Sequence, residues 1–298
     1  MGRPALLALL LALGAGCGAP DLTYADEDAG SLADGASDGA DAAPTACADD
    51  QACASGRCRS GACVACAAGT VRAATPGGVA FCVGATEVTQ GAYAAWLATG
   101  PSTGGQRAEC ASNGDYLPAA GGHGCGGATY TPAATPQSPV ACVDWCDAAA
   151  YCAAQGQRLC GRVGGGSVAF DGAGTPPWRD ASIDQWFAAC SLGGANAFPY
   201  GGSYSPSVCN AKDENLNASA TVSSFGACVA GAGGPHDMSG NVAEWEDSCS
   251  GATGASDTCH VRGGSFDSDR QHAACGDQLE DQTRATAAPT LGFRCCQD

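Results

Sequence analysis

The stretch Asp237-Met-Ser-Gly-Asn-Val-Ala-Glu-Trp245 carries the most information about the fold of this chain. It is followed by Arg262-Gly-Gly-Ser-Phe266 and, near the C-terminus, by Leu291-Gly-Phe-Arg294. None of these blocks is decisive alone. Their occurrence in this order within one chain is highly specific for a single type of fold.

The composition around these blocks excludes several classes of protein. The chain has 298 residues, with 21 Cys, 45 Gly, one Lys and a net charge of −17. Phosphate binding needs clustered Lys and Arg, so the charge argues against nucleic acid as a partner. Cytosolic thiols are kept reduced, so this many cysteines favours an exported, disulfide-bonded protein. Abundant glycine with few charged residues predicts a loop-rich fold.

Residues 1–16 predict a secretory signal peptide. Arg3 precedes the apolar run Ala5–Leu13, which is too short to span a membrane. The small residues Gly14-Ala15-Gly16 before Cys17 resemble a bacterial lipobox. We therefore expect Cys17 to be acylated and to anchor the chain to a membrane of the cell envelope. The alternative is an ordinary signal peptide with Cys17 near its cleavage site.

Two short segments separate the signal peptide from the main domain. Residues 17–46 contain seven acidic residues and no basic one, which predicts a disordered acidic linker. Residues 47–66 predict a small disulfide-stapled module, because Cys47, Cys53, Cys58 and Cys63 lie among small turn residues. Zinc is the alternative there, since Cys63-x2-Cys66 has metal-ligand spacing.

The main domain, residues 67–298, contains two segments with helical patterns. The first covers residues 90–98. The second begins after Asp144, a suitable N-cap, and ends at Gly156. Its spacing places Trp145 and Cys152 on one face, which we expect to be buried.

Further blocks in this domain are similar to those of a known family. They are Phe81-Cys-Val-Gly-Ala-Thr-Glu-Val-Thr-Gln-Gly-Ala-Tyr93, the segment from Pro139 to Leu159, and Phe198-Pro-Tyr-Gly201. Together with the three blocks above, they resemble the formylglycine-generating enzyme, or sulfatase-modifying factor, family. The resemblance implies an α+β, C-type-lectin-like fold that is rich in coil. The chain departs from the family pattern after Leu159, where Cys160 begins a Gly-rich insert.

The resemblance also implies a test for catalysis. Active members oxidise a substrate cysteine with O2 and a Cu(I) ion held by two thiolates, the soft ligands that Cu(I) prefers. These cysteines lie two and seven residues after the aromatic of the RGGS block, which gives Ser268 and Ala273 here. We therefore expect neither copper nor family catalytic residues. An unorthodox site from His272 and Cys275 is the alternative.

The family disulfides imply the pairs Cys152–Cys295 and Cys190–Cys275. The first closes a loop of roughly 140 residues, worth about 4–5 kcal/mol in the chain-entropy model. Proximity along the chain suggests four more pairs: Cys66–Cys82, Cys209–Cys228, Cys249–Cys259 and Cys110–Cys125. The partners of Cys142, Cys146, Cys160 and Cys296 stay open. If Cys17 is acylated, the remaining twenty cysteines can pair completely.

Calcium is the other ligand that the resemblance implies. Its ligands would be Asp237, the carbonyls of Gly240 and Val242, and Glu244, a set of hard oxygens that suits Ca²⁺. In the alternative reading, Asp237 and Glu244 only form hydrogen bonds within the turn. A second family site would start at Asn210, but its distal Asp has no clear counterpart.

These observations favour a non-catalytic binding or structural lipoprotein of the cell envelope. An unidentified protein or small-molecule ligand would meet a groove around Trp245, Arg262 and Ser265. The alternative is an oxidoreductase that generates formylglycine from a protein cysteine, as in sulfatase maturation, through an altered site. A fold does not establish an activity, so the site has to decide between them.

Overall fold

The computed structural model describes residues 46–119, 125, 130–171, 175–277 and 281–298. The signal peptide, Cys17 and nearly all of the acidic linker lie outside these residues. The described helices are α1 Gln90–Leu97, α2 Trp145–Ala154 and α3 Gln185–Cys190. The described strands are β1 Gly56–Arg59, β2 Ala62–Ala65, β3 Thr70–Ala74, β4 Ala80–Gly84, β5 Arg158–Leu159, β6 Ala243–Cys249, β7 Thr258–Arg262, β8 Gln282–Thr283, β9 Leu291–Phe293 and β10 Cys295–Gln297. Few helices, many short strands and extensive coil confirm the predicted α+β class.

Two four-stranded sheets organise the main domain. One has the order β3-β4-β10-β5, and all of its pairs are antiparallel. The other has the order β8-β7-β6-β9, in which β6 and β9 run parallel. The chain passes from β9 in one sheet to β10 in the other through a single residue, Arg294. The C-terminal segment therefore links the two sheets.

Helix α2 begins where the sequence predicts, because its N-terminus has a complete capping box. The Asp144 carboxylate accepts a hydrogen bond from the Asp147 amide, and the Asp147 carboxylate accepts one from the Asp144 amide. Gly156 follows the helix with φ +68°, a conformation that glycine adopts without strain. Trp145 and Cys152 are buried, as the helical spacing predicts.

Aromatic side chains from α1, α2 and β9 form the centre of the larger core. Tyr93 stacks on Tyr151 with ring centroids 5.5 Å apart, and Phe293 meets the edges of both rings. Trp96 packs against Tyr151 at 5.5 Å in an edge-to-face arrangement. Such pairs add to the stabilisation that burial alone provides.

The N-terminal hairpin of β1 and β2 packs against strands β3 and β4 of the first sheet. The Arg72 guanidinium donates to the carbonyls of Gly56 and Asp50, both at 3.0 Å, and the Asp50 carboxylate accepts from the Ala80 amide. Its disulfides are Cys47–Cys58 and Cys53–Cys63, and Cys66–Cys82 ties the hairpin to β4. Three of these sulfurs lie within 4.8 Å of one another. All of them are oxidised, so the zinc alternative has no thiolates to use.

Ten disulfides join all twenty cysteines from Cys47 to Cys296. Besides the three at the hairpin, they are Cys110–Cys146, Cys125–Cys142, Cys152–Cys295, Cys160–Cys296, Cys190–Cys275, Cys209–Cys228 and Cys249–Cys259. Disulfides at this density are typical of exported proteins. Within the described part of the chain, no helix has the length and apolar character needed to cross a bilayer.

The expected pair Cys110–Cys125 is wrong. Cys110 bonds to Cys146 in the first turn of α2 instead, and Cys125 bonds to Cys142. The Asn113 amide donates to the Asp147 carboxylate at 2.8 Å, which holds this loop against the helix. Tertiary packing therefore selects a partner that proximity along the chain does not indicate.

The bonds Cys152–Cys295 and Cys160–Cys296 connect almost the same two segments, at separations of 143 and 136 residues. Each one limits the loop that the other closes to about ten residues, so removing either pair alone should cost about 3 kcal/mol. Removing both should cost about 7 kcal/mol, because a loop of about 60 residues, already shortened by Cys190–Cys275, is then released. Urea unfolding of the two paired Cys-to-Ala variants and of their combination measures this difference. Simple additivity would contradict the prediction.

Candidate functional site

The structure brings Ser268 and the His272 carbonyl, which directly precedes Ala273, together around Gly264. A Cβ on Gly264 would lie 2.9 Å from the Ser268 Cβ and 2.9 Å from the His272 carbonyl oxygen, and its φ is +68°. Only glycine fits such a close approach at positive φ. The Ser268 hydroxyl accepts from the Ser265 amide at 2.9 Å, and the Ser239 hydroxyl donates to the Ala273 carbonyl at 2.6 Å. Hydrogen bonds within the chain thus occupy the Ser268 hydroxyl and the Ala273 carbonyl.

These residues do not fit a Cu(I) site. Ser268 offers only a hard hydroxyl oxygen, and Ala273 has no ligand atom. The alternative site from His272 and Cys275 lacks a thiolate, because Cys275 is bonded to Cys190. The His272 ring nitrogen lies 2.9 Å from the Asp269 carboxylate instead.

The expected groove around Trp245, Arg262 and Ser265 is also wrong, since all three residues are buried. The Trp245 indole donates to the Val143 carbonyl at 3.0 Å. The Arg262 guanidinium lies between the rings of Trp178 and Trp186, 5.0 and 4.8 Å from their centroids. These residues hold the core together and line no accessible surface.

Residues next to Ala273 in the sequence line an open cleft of about 660 Å³. Its walls include the guanidinium-bearing Arg179 and Arg270 and the aromatic side chains Phe187, Phe198 and Tyr204. Gln271 and Ala274, which flank the Ala273 region, also line it. The two arginines outnumber the one lining carboxylate, Asp277, which favours anionic groups there even in a chain with a net charge of −17.

In the expected calcium turn, the Glu244 carboxylate already accepts hydrogen bonds from other side chains. The Glu244 oxygens accept from Arg294 Nε and Nη2, each at 2.7 Å, and from Trp186 Nε1 at 2.8 Å. All of these atoms are buried, and three N–H donors already use most of the acceptor positions of Glu244. Glu244 therefore serves as the counterion of Arg294.

Two unpartnered oxygens nevertheless flank this turn. Asn241 donates to Glu87 Oε1 at 2.8 Å and accepts from Asn210 at 3.1 Å. Glu87 Oε2 and Asn210 Oδ1 are buried, and neither has a hydrogen-bond partner among the described residues. Burial, together with the neighbouring Asp237 carboxylate, raises the pKa of Glu87 well above its usual value. Unpaired hard oxygens in a locally acidic setting suit a cation such as Ca²⁺.

Residues 64–298 match the family described as the sulfatase-modifying factor enzyme 1-like domain. This chain belongs to that family. The match covers most of the chain and agrees with the ordered blocks in the sequence. None of the curated proteins compared with the chain matches it.

Several solved structures are similar to this sulfatase-modifying factor domain. PvdO from Pseudomonas aeruginosa is 19% identical over 77% of this chain and 91% of its own, with a TM-score of 0.49. Treponema denticola variable protein 1 is 19% identical, covering 74% and 84%, with a TM-score of 0.42. CarF is 21% identical, covering 74% and 86%, with a TM-score of 0.44. At these identities the similarities concern the fold and not the chemistry.

Glu244→Gln should lower the free energy of unfolding by about 3–5 kcal/mol, because it leaves the buried Arg294 charge unpaired. The control is Glu109→Gln, which breaks the more exposed Arg107–Glu109 pair of 2.8 Å and should cost under about 1 kcal/mol. Chemical denaturation measures both variants. Equal losses would show that the buried Arg294–Glu244 pair contributes no more to stability than the more exposed Arg107–Glu109 pair.

Proposed function

We propose that this chain is an exported, non-catalytic member of the sulfatase-modifying factor family that binds a partner in the cell envelope. One observation carries the proposal. The family reaction needs two thiolates, but all cysteines from Cys47 to Cys296 are in disulfides and the two ligand positions are Ser268 and Ala273. Without soft ligands, the chain has no means to hold Cu(I) at the family position.

An acylated Cys17 and the acidic linker would tether the domain to a membrane. The disulfide density supports export, since such bonds persist in oxidising compartments. The linker residues after Cys17 carry several negative charges and no positive one, so they would repel each other and extend the tether. The domain would then meet its partners away from the lipid surface.

We place a protein or small-molecule partner in the cleft of about 660 Å³ that Gln271 and Ala274 line. Arg179 and Arg270 would attract acidic groups, and the aromatic side chains would cover apolar ones. This location replaces the groove expected around Trp245, whose side chain is buried.

A thiol titration of the exported chain tests the absence of catalysis. We expect no titratable thiol after unfolding and no Cu(I)-dependent O2 consumption with a cysteine peptide. The matched variant Ser268→Cys/Ala273→Cys restores both family ligands and should bind Cu(I) far more tightly in a competition assay with a colorimetric chelator. Two free thiols in the unmodified chain, with Cu(I)-dependent O2 consumption, would instead support the formylglycine-generating oxidoreductase.

We also propose that Ca²⁺ binds beside the turn that begins at Asp237. Glu87 Oε2 and Asn210 Oδ1 support this, as buried oxygens without partners. The carbonyls of Gly240 and Val242 would complete the set, and Glu244 would stay with Arg294. The ion would offset the repulsion between the carboxylates of Glu87 and Asp237.

Saturating Ca²⁺ should therefore raise the Tm of the chain relative to EGTA, since a ligand that binds only the folded state stabilises it by about 2.7 kcal/mol at a hundredfold excess over Kd. Glu87→Gln keeps the side-chain shape, removes one charge and should reduce the shift. Mg²⁺ serves as the control, because it dehydrates reluctantly and fits such sites poorly. An unchanged Tm on adding EGTA would reject calcium at this turn.

A further inference from the structure

A second cleft lies at the N-terminal end of α2, away from Ser268 and Ala273. It has a volume of about 480 Å³ and is bounded by residues 112–119, the first turn of α2 and residues 284–287. Small-molecule sites commonly have volumes of about 300–1,000 Å³. None of the residues discussed for copper or calcium lines it.

One side of this cleft is acidic. Asp115, Asp144 and Asp147 all line it. Burial and the Asp144 carboxylate raise the pKa of Asp147 well above its usual value, and burial also raises that of Asp144. Arg284 acts to lower the pKa of Asp144 but does not offset its burial, so these shifts mark carboxylates that repel one another and lack a sufficient positive partner. A cationic group placed beside them would relieve that repulsion.

Arg284 also lines this cleft, and its buried guanidinium has one unused donor. Arg284 stacks on Trp145 at 4.3 Å and is only 2% exposed. Its Nη2 donates to the Gly251 carbonyl at 2.8 Å and to Asp257, and its Nε donates to the Gly254 carbonyl at 3.3 Å. Its Nη1 has no hydrogen-bond partner among the described residues. An unmade bond on a buried charged group is costly, which points to an acceptor supplied by a ligand.

The carboxylates and the Arg284 guanidinium together determine which charges a ligand of this cleft must carry. A simple anion would meet three carboxylates, and a simple cation would meet Arg284. A molecule with both charges satisfies both sides. Leu117, Pro118 and Ala287 add apolar wall between the charged groups.

We propose that this cleft binds a small zwitterion of the amino-acid type. The ligand carboxylate accepts a hydrogen bond from Arg284 Nη1, and its ammonium group lies among the carboxylates of Asp115, Asp144 and Asp147. The apolar wall contacts a short hydrocarbon portion of the ligand. This site shares no residue with the proposed absence of Cu(I) catalysis at Ser268 and Ala273. The zwitterion proposal and the non-catalytic proposal can therefore fail independently of each other.

Isothermal titration calorimetry of the exported chain tests the charge requirement. The probes are glycine, β-alanine, γ-aminobutyrate and leucine, which vary the charge separation and the apolar portion. Ethylamine and acetate are the controls, because each carries only one of the two charges. We expect at least one zwitterion to bind about tenfold or more tightly than either control, a difference of about 1.4 kcal/mol. Equal affinities, or no heat with any zwitterion, would overturn the proposal.

Two variants then locate the site. Asp144→Asn removes a carboxylate charge and preserves the N-cap of α2, because asparagine caps helices as well as aspartate does. It should weaken zwitterion binding about tenfold or more with little change in Tm. The matched control is Asp49→Asn, which removes the same charge from the N-cap of the 3-10 turn Asp50–Ala52, outside the cleft. It should leave affinity unchanged, and equal affinities of both variants would place the ligand elsewhere.

Discussion

The buried Arg294 guanidinium is the interaction on which the rest of this structure depends. It lies at the passage between the two sheets and donates to the Glu244 carboxylate, to the Gly84 carbonyl at 2.9 Å and to the His236 carbonyl at 2.8 Å. Glu244 lies on β6 of one sheet, and Gly84 ends β4 of the other. Burying a charge is tolerable only when it is paired and its donors are used, and here every contact also fixes a chain segment.

Two other buried arginines also hold coil segments through some of their donors. Arg262 donates to the carbonyls of Trp178 and Cys275, and Arg284 donates to those of Gly251 and Gly254. A coil-rich domain has many carbonyls outside helices and strands, and each buried one needs a donor. A guanidinium offers five N–H donors in a fixed plane, so one side chain can hold several loops. Disulfides also cross-link such loops covalently. Buried arginines and disulfides together fix coil segments that no helix or strand holds in place.

The contacts that hold the fold are separate from the positions at which the family resemblance places copper ligands. The scaffold contacts involve Glu244, Arg262 and Arg294, whereas the Ser268 hydroxyl accepts from the Ser265 amide and the Ala273 carbonyl accepts from the Ser239 hydroxyl. The side chains at Ser268 and Ala273 therefore take no part in the contacts of those three scaffold residues. A fold of this kind can support binding surfaces elsewhere, such as the cleft at the start of α2, because function depends on particular sites and not on the architecture.

Residue identity and spacing along the chain are enough to predict the family, the α+β class and the capped start of α2. They also show that Ser268 and Ala273 stand where the family resemblance places two cysteines. The burial of Trp245, Arg262 and Ser265, the Cys110–Cys146 bond and the unused donor of Arg284 are visible only in the folded chain. Those properties depend on which distant segments pack together, and spacing along one chain does not specify the neighbours that a coil-rich fold brings into contact.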